Sequence, residues 1–326
     1  VETRYDLTRA DVVLSLDSDF LVFGPGALRY ARDFAGRRKV RSENPQMSRF
    51  YALETTPTST GSVADHRMPA RPAEIARFAA ALATRVGVPG VSASEPTDAA
   101  MTEWLDAVAA DLEAHRGRCL VVAGEHTEPE LQVLVHGINA ALGNVGRTVT
   151  YSEPVRLEPA PQGEGLRQLV DDMAAGEVSA LVVMGANPVY DAPADLDFAT
   201  AMQNVDLTVH LGLYKDETGV RSNWHLPQTH YLEGWGDARA FDGTVTVTQP
   251  LVRPLYNGKT DLQLLSVLAG NDTSDYDLVR EHWRATDTSG SFERSWRHAL
   301  HDGFVKGSAL AAITPSLDGG AVARAA

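Results

Sequence analysis

Apolar positions along this chain follow two alternating rhythms. Short apolar-rich runs at Asp11 to Leu16, Cys119 to Ala123, Thr148 to Tyr151, Ala180 to Met184 and Leu207 to Leu211 read as strands. Between them, apolar residues recur every three or four positions over Ala27 to Ala35, Ala73 to Val86, Thr97 to His115, Pro129 to Leu142, Glu164 to Ala175 and Ala194 to Met202. That spacing predicts amphipathic helices, and Pro72 sits where a first helical turn tolerates proline. Strands alternating with helices predict parallel sheets covered by helices, an α/β fold of doubly wound type. Lys39 to Arg41 and Phe50 to Leu53 read as weaker strands. Thr244 to Thr248 alternates like an exposed one, with Pro250 and Pro254 marking an edge or loop, and from Leu262 onward the pattern is that of two or three helices.

One pattern occurs twice without a gap in register. Thr60, Gly61, Ala64, Asp65, Met68 and Pro69 are matched in step by Thr218, Gly219, Ser222, Asn223, Leu226 and Pro227, and each copy follows a strand-like run. Such a repeat predicts two related α/β units. The stretch Val88 to Pro96, rich in Pro, Gly and Ser, reads as a linker. The expected division is therefore a first α/β domain over residues 1–95, a second over 96–258 and a helical extension over 259–326.

Composition narrows the function. The 326 residues are 44% hydrophobic and 22% charged, and no apolar run reaches the ~18 residues needed to span a bilayer. With 43 acidic against 29 basic residues the formal charge is -14, which repels a phosphate backbone and argues against a nucleic-acid partner. Cys119 is the single cysteine, so this chain alone cannot make a disulfide, hold an iron–sulfur cluster or build a structural zinc site. It starts at Val1 without a signal-like segment, as expected of a processed precursor or a fragment.

Candidate chemistry is sparse. Gly185-Ala186-Asn187-Pro188 follows a buried strand, where glycine admits a close ligand and asparagine can bind it; the same residues also make a tight turn. Gly24-Pro25-Gly26-Ala27-Leu28-Arg29 lacks the final glycine of a dinucleotide loop, and no Gly-Lys-Ser/Thr or Gly-x-Ser-x-Gly occurs, which argues against nucleotide triphosphatases and serine hydrolases. His225 and His230 stand five apart across Pro227, poor spacing for zinc. Trp224, Tyr231, Trp235 and Phe241 crowd around them, as in a core or a partner interface.

The strand leading into Gly185-x-Asn187-Pro188, the later Asp216-Glu217-Thr218, and Leu226-Pro227 followed by Tyr231-Leu232-Glu233 resemble the large-subunit fold of the molybdopterin oxidoreductases. Over about Tyr5 to Lys259 the resemblance implies two pseudo-symmetric α/β domains, each of which, in that family, grips one pyranopterin guanine dinucleotide. Three longer segments, Asn187 to Pro193, Asn223 to Pro227 and Trp235 to Gly243, are similar to the B subunit of alternative complex III, a membrane quinol oxidoreductase of bacterial respiratory chains. That subunit joins a cofactor-free molybdopterin-type domain to an iron–sulfur domain.

The departures point to the cofactor-free branch. Ser222-Asn223-Trp224-His225-Leu226-Pro227 replaces the family's Ala-Asp-x-x-Leu-Pro, Arg71-Pro72-Ala73-Glu74-Ile75 lacks its guanine-binding aspartate, and Asp17-Ser18-Asp19 stands where a first Gly-x-Asn is expected. The resemblance thus implies no catalytic residue and no metal in this chain. Gly185, Asn187, Pro188, Asp216 and Thr218 are expected as a vestigial cofactor frame, or as a working site if the chain is instead part of an active enzyme using molybdopterin guanine dinucleotide. Trp224, His225, His230, Tyr231 and Trp235 are expected to meet a partner. The implied partners are other subunits of a membrane-bound respiratory complex and an iron–sulfur domain of the same full-length protein. The implied location is peripheral to the bacterial inner membrane, on its periplasmic face.

Overall fold

Val12–Leu16 is apolar at four of its five positions and wholly buried because it becomes the inner strand of a parallel sheet. The computed structural model describes residues 1–40, 42, 45–156 and 162–326, which divide into two units, 1–154 with 310–326 and 155–309.

The first unit runs β1 (Glu2–Tyr5), β2 (Val12–Leu16), α1 (Ala27–Arg37), β3 (Arg49–Glu54), β4 (His66–Pro69), α2 (Pro72–Arg85), α3 (Ala99–Ala114), β5 (Cys119–Ala123), α4 (Pro129–Ala141) and β6 (Val149–Ser152). Its main sheet is parallel in the order β4-β3-β2-β5, so the chain winds outward from β2 and then returns to β5 on the other side. Strand order reverses between β2 and β5, the doubly wound arrangement. Leu14, Leu16, Leu53, Phe78, Leu82, Leu105, Leu112, Val121 and Ile138 fill the core. Local chemistry starts the helices: Glu74 accepts from the Arg71 N–H at 2.8 Å, and Asp98 from the Ala100 and Met101 N–H groups.

The second unit runs α5 (Gln162–Ala174), β7 (Ala180–Met184), α6 (Pro188–Asp191), α7 (Phe198–Ala201), β8 (Leu207–Gly212), α8 (Glu217–Arg221), β9 (Trp224–Pro227), β10 (Gly236–Arg239), β11 (Val245–Thr248), α9 (Asp261–Leu268), α10 (Asp275–Thr286) and α11 (Phe292–Asp302). β7, β8 and β9 form a parallel sheet in that order, and β10 pairs with β11 as an antiparallel hairpin. Val170, Met173, Leu181, Val183, Phe198 and Met202 pack one core, and Val247, Val279, Trp296 and Ala299 a second. The expected long helix from Ala194 to Met202 is broken, because Asp197 takes a left-handed conformation at φ 45°.

The structure divides the chain differently from the linker-based expectation. A cut at 95/96 would part β5 from β2, its hydrogen-bonded neighbour. The Pro/Gly/Ser-rich stretch is a surface connection between two helices of one unit, tied down where Val88 is buried. The expected extension over 259–326 is also split. Its last segment returns to the first unit, where Ile313 donates to the Tyr151 carbonyl at 2.8 Å and α12 (Gly319–Arg324) buries Val322 against Gly137 of α4. Lys39 and Val40 are not in a strand, and Arg41 lies outside the described residues.

Candidate functional site

In each unit a parallel strand runs directly into a left-handed residue. Asp17 follows β2 at φ 51°, and Gly185 follows β7 at φ 66°. Each donates its N–H to the neighbouring strand, Asp17 to the Leu53 carbonyl at 2.8 Å and Gly185 to the Leu211 carbonyl at 2.9 Å. Two residues further on stands a side chain that reaches the repeated threonine. Asp19 Oδ1 accepts from the Thr60 N–H at 2.9 Å, and Asn187 Oδ1 accepts from the Thr218 N–H at 3.2 Å. Each threonine hydroxyl reaches back to the loop, accepting from the Leu21 N–H at 3.2 Å and from the Val189 N–H at 3.1 Å. The same clasp thus closes both strand ends.

The rest of the repeat keeps the same geometry. Asp65 and Asn223 accept from the N–H groups of Phe50 and Thr208, residues at the start of the adjacent strand. The strands that follow pair in matching register, Tyr51 with His66 and Val209 with Trp224. Thr60 and Thr218 are buried to 1% and 0% exposure, so their hydroxyls depend on these partners rather than on water.

The expected frame residues are therefore close together, and bonded to one another. The Asn187 carboxamide accepts from Thr218 Oγ1 at 2.8 Å, and its Nδ2 donates to Glu217 at 2.7 Å. That bond from Asn187 also holds the Glu217 carboxyl below its ordinary range. Asp216 caps α8 by accepting from the Gly219 N–H at 2.9 Å. Pro188 opens α6, and Gly185 provides the left-handed turn. In the first unit, Asp17 accepts from the Thr55 N–H and hydroxyl and lies 3.2 Å from His126 Nε2, while buried Glu54 pairs with Arg67 and accepts from Thr58.

Beneath the second copy lies a pair that sequence reading missed. His210 on β8 is fully buried, with Nδ1 3.0 Å from Nδ1 of His225 on β9. His210 Nε2 faces the Ala186 carbonyl at 3.3 Å, which assigns it the proton and leaves Nδ1 to accept from His225. Burial, then the neighbouring His210, holds His225 below the ordinary histidine range. Among the described residues no cluster of His, Cys, Asp and Glu could hold a metal. The signal for the pair was its period, since His210 and His225 face each other in a parallel register.

Of the expected partner residues, Trp224 and Tyr231 are exposed. His225 packs against His210 and is half-buried, while its neighbour Trp224 takes the open face because side chains alternate along β9. His230 packs on Tyr231 with ring centres 4.2 Å apart, and Trp235 packs edge-on to Tyr276 at 4.8 Å. These two are half-buried.

The family profile described as molybdopterin oxidoreductase matches residues 70–271, and the chain belongs to that family. A curated relative, the menaquinone reductase molybdopterin-binding-like subunit of Nitratidesulfovibrio vulgaris, is 24% identical over 304 residues, covering 82% of this chain and 44% of the relative. The chain thus spans less than half of that protein. The fold is also similar to acetylene hydratase from Pelobacter acetylenicus, with a TM-score of 0.51 and 12% identity over 82% of this chain and 48% of that one. Among the described residues no helix is long and apolar enough to cross a membrane.

Proposed function

We propose that this chain is a cofactor-free molybdopterin-oxidoreductase domain that serves as a structural and docking part of a respiratory quinol-oxidising complex of alternative complex III type. The observation that carries the reading is the internal use of the strand-end polar groups. Asn187 spends both ends of its carboxamide on Thr218 and Glu217, and Thr60 and Asp19 are likewise bound to each other's loops. Carboxylates outnumber cations at these ends, with Asp17, Asp19 and Glu54 in one unit and Asp216 and Glu217 in the other against Lys215 and Arg67, and Arg67 is paired with Glu54. A pyrophosphate needs free N–H groups or cations, so the excess of carboxylates and the internally bonded side chains support the cofactor-free reading. The relative named as a menaquinone reductase subunit supports membership of a quinone-linked complex. Electron transfer would then belong to an iron–sulfur domain outside these residues, and the complex would sit at the periplasmic face of the inner membrane.

The competing reading, a fragment of an active enzyme, would place molybdopterin guanine dinucleotide against Gly185, Asn187, Pro188, Asp216 and Thr218. Substituting Glu217→Gln in the native host separates the two. It alters charge where a cofactor would lie but keeps an acceptor for Asn187. The structural reading expects quinol turnover per assembled complex within about twofold of wild type. A loss of tenfold or more in fully assembled complexes would contradict it.

A further inference from the structure

We propose that a cleft in the second unit receives the guanidinium of an arginine side chain presented by a partner protein; the inference rests on the docking role proposed above. The cleft has a volume of about 430 Å³ and lies beyond the ends of β8 and β9, where Leu213 and Gln228 form part of its wall. That size is within the range of specific binding pockets, about 300–1,000 Å³.

Its walls combine two features that suit a planar cation. Tyr231 is 68% exposed beside His230, and Trp235 is fixed by its ring contact with Tyr276 and by its backbone N–H donating to Asp275 at 2.8 Å. Both offer aromatic surface to the cleft. Two carboxylates complete it, each held by one oxygen: Asp237 Oδ2 accepts from Trp283 Nε1 at 2.6 Å, and Asp261 Oδ1 accepts from Gln228 Nε2 at 2.7 Å. Neither makes an ion pair among the described residues, and no described lysine or arginine lines the cleft. The cleft therefore presents two carboxylates without a direct ion-pair partner among the described residues, beside aromatic walls.

Arginine matches this better than lysine. A guanidinium stacks on aromatic faces, forks to carboxylate oxygens and loses less hydration than an ammonium. Tyrosine, tryptophan and arginine are also the side chains that dominate binding energy at protein interfaces. The direction of charge agrees, since the chain as a whole carries -14 and attracts basic partners.

The test titrates the acetylated, amidated peptide Gly-Arg-Gly into the protein and follows tryptophan fluorescence, beside the same peptide with citrulline and beside tetramethylammonium. The expected result is saturable binding of the arginine peptide, at least tenfold weaker binding of citrulline and tetramethylammonium, and a tenfold or greater loss in Asp237→Asn. That variant keeps an oxygen for Trp283; Asp261→Asn, which likewise keeps an acceptor for Gln228, provides a second reading should the first fail to fold. No saturable binding, equal binding of citrulline, or indifference to both folded variants would overturn the proposal. Tetramethylammonium binding as tightly as the peptide would also overturn it, in favour of a small organic cation. Molybdenum and pterin content is measured on the same preparation, so a cofactor-free protein that ignores arginine sinks this inference and leaves the structural reading standing.

Discussion

Thr218 shows how one buried hydroxyl can hold a strand end. It donates to Asn187 and accepts from Val189, so Thr218→Val keeps the shape, strands the Val189 N–H and leaves Asn187 Oδ1 with the Thr218 backbone N–H alone. A loss of about 1–3 kcal/mol is expected, read as a lower urea midpoint for the second unit. An unchanged midpoint would mean that water replaces the clasp. Cys119 is the opposite case, a group whose surroundings make it inert. Its thiol is buried, bonded to Asn144 Oδ1 at 3.3 Å, and pushed up to about 11 chiefly by burial. Native protein at pH 8 is therefore expected not to react with a disulfide reagent over hours, whereas unfolded protein reacts at once. The sequence marked Cys119 as buried because it begins an apolar run; its bond to Asn144 was out of reach, because that partner lies 25 residues away.

At the scale of elements, the repeat was legible and its mechanism was not. Thr, Gly and Pro recur in step, yet the reason for each glycine is a side chain from a neighbouring strand. A Cβ on Gly61 would collide with Glu54 Oε1, and one on Gly219 would stand 2.8 Å from His210 Nδ1. Glu54 is pinned by Arg67 and Thr58, so Gly61→Ala is expected to destabilise the first unit by about 1–3 kcal/mol, measured by denaturant unfolding. A neutral effect would show that Glu54 can move aside. β4 and β9 were missed as strands because four residues ending in proline carry little periodicity, and parallel pairing supplied what propensity lacked.

The histidines set a pH dependence at the same scale. His225 and half-buried His136 are both held below their ordinary range, His225 by burial and His210, His136 by burial alone. A base depressed in the fold stays neutral there and takes up a proton more readily when unfolded. Its contribution is complete above the ordinary value near 6.5 and is lost as pH falls through the depressed value. Urea midpoints are expected to drop between pH 7.5 and pH 5, and His225→Gln to flatten the slope. A midpoint that is flat in the wild type over this range would contradict the assignment.

For the whole molecule, the α/β class and the family were visible in strand–helix alternation and in the residues around Asn187. The division into units was not. A linker-like composition at Val88 to Pro96 reports a surface path, whereas unit membership is decided by β5 pairing with β2 and by Val322 returning to α4. Both are contacts between distant parts of the chain. On the proposed reading, the polar groups at the strand ends bind each other in place of a cofactor. Metal and pterin analysis of the protein purified from its native host tests this most directly. The expected result is molybdenum, tungsten and pterin at background level; about one atom of either metal per chain, with pterin, would contradict it.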